Sequence, residues 1–153
     1  MSLYEILVFV HVLAVATWVG GAIMIDVIAE KTIASNDPAR VSGLLAQAET
    51  LGQRYFGPAS LVTLAAGVWL VIEGSWGWTE PFVLVGLSGI VLSSILGFGP
   101  IQASAKRAVQ ALTASGSITA EVSSALGHVR NFSRLDILLL VVVLFFMTVK
   151  PGT

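Results

Sequence analysis

Only two side chains in this sequence carry a ring nitrogen able to ligate a metal, and they lie far apart along it, at His11 and His128. Cysteine is absent, which removes disulfides, thiolate catalysis, iron–sulfur ligation and thiolate-bound zinc or copper. His11 stands within Ile6 to Ile25, a run of twenty residues without a charge. Counted from Leu3 along an α-helix, it lies about 12 Å into a membrane. An ionisable group at that depth faces the bundle interior or a cavity and needs a partner. Three roles fit it: a structural hydrogen bond to a neighbouring helix, a proton relay, or an axial ligand to haem iron, for which neutral imidazole is the usual protein donor. Gly67, Trp69, Gly86 and Met147 fall at a similar level. The glycines would leave room for a macrocycle, and the Met147 thioether could be a second axial ligand. His128 falls about 20 Å further along the bundle by the same count, too far to clamp one haem with His11, and reads as an interfacial histidine.

A second group, Asp26, Arg54, Arg134 and Asp136, gathers at one end of the apolar runs. Charges there should be paired, and Arg54 or Arg134 are the natural partners of Asp136. Arg134 and Asp136, two apart on a helix, do not face each other. Such a group either fixes helix depth by snorkelling or receives an anion such as a haem propionate or lipid headgroup. A haem on His11 would be out of its reach. The methionines, Met1, Met24 and Met147, form no cluster of soft ligands for a copper path. Serine-hydrolase, zinc-protease and phosphate-loop patterns are absent, and no residue is assigned a catalytic role.

The elements that must position these residues are membrane helices. Hydrophobic residues make up 56% of the chain and charged ones 11%, against about 25% charged in an ordinary soluble domain. The net charge of −1 offers no basic stripe for nucleic acid. The apolar residues fall in blocks that predict a single all-α domain, a four-transmembrane-helix bundle with spans at about 4–27, 54–73, 81–104 and 131–150. The Ala14–Ala16 pattern resembles a signal-peptide cleavage site, but no basic residue precedes it and the apolar run continues, so the segment reads as a retained span. The fourth block, Ile137 to Val149, covers only about 20 Å, so its helix must take in Arg134 and Asp136. Seven of eight basic residues lie on one side, with Lys150 alone on the other, which predicts both termini outside the cytoplasm. Trp76 and Trp78 then sit at the outer interface.

The cytoplasmic connections read as helical. Asp37-Pro38 is a cap and first-turn proline, followed by the apolar face Val41, Leu44, Leu45, Ala48 and Leu51. Beyond Ser115-Gly116-Ser117, the residues Val122, Leu126, Val129 and Phe132 repeat that spacing. Spacing alone leaves open whether these stretches extend the membrane helices or lie on the surface. Gly89, Ser93 and Gly97 form a small-residue ridge that permits close helix approach.

The stretch His11-Val-Leu-Ala-Val-Ala-Thr-Trp-Val-Gly-Gly21 resembles the first helix of the CopD/HemJ-like group of small bacterial integral membrane proteins. That group includes copper-resistance D membrane domains, HemJ-type protoporphyrinogen oxidases and a neighbouring uncharacterised family of predicted integral membrane proteins, to which the likeness is strongest. Arg54-Tyr-Phe-Gly-Pro58, with Thr63 to Gly67, resembles the group's second helix, and Arg134 through Lys150-Pro151 its last. The resemblance implies a place in a bacterial cytoplasmic membrane, haem binding at His11 and a functional role for Lys150. The HemJ Asn-Glu pair is replaced by Arg134-Leu-Asp136, a departure that weighs against protoporphyrinogen oxidation.

The expectation is therefore a membrane-embedded b-type haem protein with an electron-transfer or haem-linked redox role, its metal ligand His11 and its cofactor-binding residues His11, Met147, Gly67, Gly86 and Lys150. The alternatives are a non-catalytic subunit of a larger membrane complex and a metal or small-molecule transporter. The expected partners are the lipid bilayer and other membrane subunits or further copies of the chain.

Overall fold

Lipid offers no hydrogen bonds to a backbone, so each apolar block has to satisfy its own amides within a helix. The computed structural model describes residues 2–151 and, among them, contains helices and no strands. Helix α1 spans Leu3–Ala34 and is started by a capping box, in which Ser2 Oγ accepts from the Glu5 amide and Glu5 accepts from the Ser2 amide. Helix α2, Pro38–Leu51, passes through a π-helical turn, Gly52–Phe56, into α3, Gly57–Glu73. Helix α4, Pro81–Leu96, passes through a second π-helical turn, Gly97–Ile101, into α5, Gln102–Ser115. Helix α6 spans Ala120–Val149. The chain is thus four long rods, each long and apolar enough to cross a membrane, the build of an integral membrane protein.

The rods outrun the bilayer. Thirty-two residues of α1 reach about 48 Å, against a hydrocarbon core of about 30 Å. The helical connections are therefore extensions of the membrane helices, continuous with them through the π turns. Asp37 caps α2 by accepting from the Ala39 and Arg40 amides at 2.9 and 3.3 Å. Gly116 ends α5 in the left-handed region, at φ 64°, which a side chain would disfavour.

Outside the apolar spans, Val41 and Leu45 of α2, Ala108 and Leu112 of α5, and Val122, Ala125 and Leu126 of α6 close a small core, with Ile33 of α1 against it. Val41, Ala108 and Val122 are fully buried there. Water drives this closure by the hydrophobic effect. In the apolar spans, close packing has to hold the helices together. There α1 packs against α3 and α6, α6 packs against α4, and α3 and α4 touch only sparsely. Trp18, Val19 and Leu140 form the middle contact, and Val71, Phe82 and Val83 the one beside the 74–80 loop.

The small-residue ridge divides. Gly89 is buried and filled by the Val143 side chain of α6, and Ser93 is buried on the same helix, whereas a Cβ on Gly97 would enter open space. Gly89→Leu should therefore cost about 1–3 kcal/mol by overpacking and lower the thermal midpoint in detergent. Gly97→Leu should leave it nearly unchanged. Equal midpoints for the two variants would contradict the close α4–α6 approach.

Candidate functional site

An imidazole inside an apolar helix needs a hydrogen-bond partner, and the nearest are the backbone carbonyls of the adjacent rod. His11, half-buried on α1, places Nδ1 3.0 Å from the carbonyl oxygen of Thr63 on α3. A carbonyl can only accept, so Nδ1 carries the proton and the lone pair is left on Nε2. Nε2 makes no hydrogen bond among the described residues. The approach depends on Gly67, one turn beyond Thr63. A Cβ there would lie 3.1 Å from His11 Cε1 and 3.4 Å from Nδ1. The space that glycine leaves is taken by the imidazole.

Thr63 is buried, and its Oγ1 has no partner among the described residues. Thr17, Thr50, Thr113 and Thr148 all return their hydroxyls to the carbonyl four residues back. Thr63 makes no such bond, which leaves a buried polar atom beside the histidine. Orphaned atoms of this kind mark a place for a water or another polar group.

The remaining candidates form a second group. The Met147 thioether of α6 packs on Gly86 of α4, its methyl occupying the space a Cβ would need. Met147 also packs against the cluster of Val71, Phe82 and Val83, together with Trp76 and Leu87. Trp76 and Phe82 meet edge to face, with centroids 5.3 Å apart. The Lys150 ammonium lies over both rings, 4.3 and 5.0 Å from their centroids, at the end of the bundle that carries the 74–80 loop. Gly86, Met147 and Lys150 are therefore brought together, as are His11 and Gly67. The two groups share one face of α3, on which Gly67 and Val71 are four residues apart, about 6 Å along the axis. Trp69 is half exposed and His128 exposed, the latter in the water-side extension of α6.

At the opposite end the charges pair differently from the expectation. Arg134 lies 3.7 Å from Asp26 and 2.9 Å from Glu30, and Arg130 lies 3.7 Å from Glu30, joining α6 to α1. Asp136 is not the partner of Arg134 or Arg54. Two residues beyond Arg134 on a helix, it turns to α4, where it meets the Ser93 hydroxyl, and its Oδ1 is buried without a hydrogen bond among the described residues. Glu30 was overlooked although its signal was present: Asp26 and Glu30 are four apart, as are Arg130 and Arg134, and each pair shares a helix face.

No group of three or more histidine and acidic side chains able to hold a metal ion occurs among the described residues. Any metal on His11 would thus depend on ligands from a cofactor or on the thioether. Gly67→Val should force the imidazole away from the Thr63 carbonyl. Side-chain nitrogen NMR of His11 should show the Nδ1–H tautomer in the parent protein and its loss in the variant. An unchanged spectrum would disprove the contact.

Compared with known proteins, the chain matches no protein family, no curated protein and no solved structure.

Proposed function

We propose that this is a membrane-embedded b-type haem-binding protein with an electron-transfer or haem-linked redox role, and that His11 is the axial ligand. The reading rests on the 3.0 Å bond from His11 Nδ1 to the Thr63 carbonyl. Metal-ligating histidines characteristically donate their other N–H to a carbonyl or carboxylate, which fixes the tautomer and raises the basicity of the coordinating nitrogen. His11 has that arrangement and keeps an uncommitted Nε2. The likeness of its helix to the CopD/HemJ-like group points the same way. A bound haem would supply one-electron chemistry at its iron.

The chain's own residues have distinct tasks in this reading. Thr63 holds the imidazole by its carbonyl, and Gly67 gives the ring room to reach it. Met147 brings the only thioether on α6, steadied against Gly86. Lys150 adds a cation at the same end of the bundle, held by Trp76 and Phe82, a charge suited to a cofactor that bears carboxylates. His128, exposed and beyond the apolar span, takes no part.

Purified protein should show a Soret band with reducible α and β bands. His11→Ala should remove them while the protein still inserts, and His128→Ala should keep them. Met147→Leu should retain haem and lower its potential if the thioether is the sixth ligand. Full haem occupancy and an unchanged spectrum in His11→Ala would overturn the assignment. A colourless preparation that retains partner proteins would favour the non-catalytic subunit instead.

The Lys/Arg asymmetry supports both termini outside the cytoplasm, with the water-side core of α2, α5 and α6 inside. Cysteine at Ser75 should be labelled by an impermeant thiol reagent in intact cells, and cysteine at Ser42 should not. The reverse pattern would invert the protein.

A further inference from the structure

The water-side tip of the bundle holds a cavity of about 230 Å³, where the end of α1 meets the first turns of α6. Ile33, Ile118 and Leu126 give it an apolar floor, with Leu126 buried and the two isoleucines half-buried. Asn36, Ser123 and Arg130 line it too, and all three are exposed, so they form its rim. Gly127 lies between Ser123 and Arg130 on one face of α6 and keeps the space open. A Cβ there would meet nothing within 4 Å, whereas Gly67, Gly86 and Gly89 are each filled by a neighbour.

Depth decides what can enter. Ile33 lies thirty residues beyond Leu3, about 45 Å along α1. That is past the hydrocarbon core of about 30 Å and the headgroup layer beneath it. An occupant therefore comes from water.

The rim decides its charge. No acid lines the cavity. Glu30 takes Arg134 at 2.9 Å and Arg130 only through Nε at 3.7 Å, which leaves the terminal nitrogens of Arg130 without an ion pair among the described residues. Asp37, next to Asn36, is turned to the Ala39 and Arg40 amides and to the Arg40 side chain. Asn36 is fixed at its corner by left-handed backbone, φ 53°, and by its amide, which donates to the Ile33 carbonyl at 3.1 Å. A guanidinium fork, an amide and a hydroxyl thus converge above apolar carbon, the donor set for a planar carboxylate.

We propose that this cavity binds a small organic carboxylate with a branched apolar body, its carboxylate on Arg130, Asn36 and Ser123 and its body on Ile33, Ile118 and Leu126. The volume is below that of pockets for drug-sized ligands, which holds the occupant to a few carbons. The site is independent of haem, about 33 Å along α1 from His11.

Amide NMR of the labelled full chain in lipid nanodiscs tests it, with 4-methylpentanoate as the probe. The probe should shift the Ser123 and Gly127 amides saturably. Its uncharged isostere 4-methylpentanamide should bind about tenfold more weakly or worse, and inorganic phosphate, which has no apolar body, should not saturate these shifts. Gly127→Leu puts a side chain into the cavity but leaves Arg130 and its ion pair in place, so the Ser123 shift should vanish. Arg130→Gln should weaken binding about tenfold. Lys31→Gln removes the same charge from an exposed residue of α1 outside the lining and should change nothing. No saturable shift, equal binding of the amide, saturation by phosphate (which would indicate a free-anion site), or undiminished binding in Gly127→Leu would each overturn the proposal.

Discussion

Backbone hydrogen bonding in hydrocarbon governs this molecule. Every amide within the bilayer has to be paired inside its own helix, so the four apolar blocks become rods with no break. Nothing in that requirement stops a rod at the membrane surface. Where the following residues keep an apolar face, the helix runs on, and three of the four rods close a core beyond the lipid around Val41, Ala108 and Val122. The change of solvent needs a change of helix face, and the π turns lie where it occurs. Each takes up extra backbone per turn and rotates the helix beyond it. Glycine and proline gather at these turns, including Pro100 within the second, where proline's missing N–H interrupts the regular α-helical ladder.

The same solvent makes each polar side chain in the spans an individual problem. The exposed threonines solve it locally by bonding the carbonyl four residues back. Asp26, Glu30, Arg130 and Arg134 solve it by pairing between α1 and α6. His11 solves half of it, through one ring nitrogen and a carbonyl of α3. Thr63 Oγ1 and Asp136 Oδ1 are buried without partners among the described residues. Each lies one turn from a residue of the Trp18–Leu140 contact, Thr63 from Ala59 and Asp136 from Leu140 itself. Apolar packing at the centre of the bundle thus separates a polar site around His11 from one around Asp136.

Glycines in the spans act through the neighbour that fills them. Gly67 admits an imidazole from α1, while Gly86 admits a thioether and Gly89 a valine, both from α6. Two of these neighbours, His11 and Met147, are the residues whose chemistry the proposed function uses. Close helix approach and the candidate site therefore have a common cause, since removing a side chain from one helix positions the reactive side chain of the next.

The fold was legible in the sequence because lipid imposes a one-dimensional rule. Block length and charge asymmetry gave four spans, and Asp37-Pro38 and Ser115-Gly116-Ser117 gave the breaks between rods. That His11 can meet Gly67, and Met147 Gly86, in depth was also legible, since depth along a helix is a residue count. Rotation about each axis and the order of neighbours were not. That His11 meets Gly67 while Met147 meets Gly86, and that Arg134 takes Asp26 and Glu30 while Asp136 turns to Ser93, follow from which rods pack together. In lipid, apolar periodicity does not tell an inward face from an outward one, because the surroundings are as apolar as the interior. The sequence by itself therefore determined the breaks at Asp37-Pro38 and Ser115-Gly116-Ser117 and the number of spans. Only tertiary packing decided their partners, the continuity of the rods through two π turns and the sparse contact between α3 and α4.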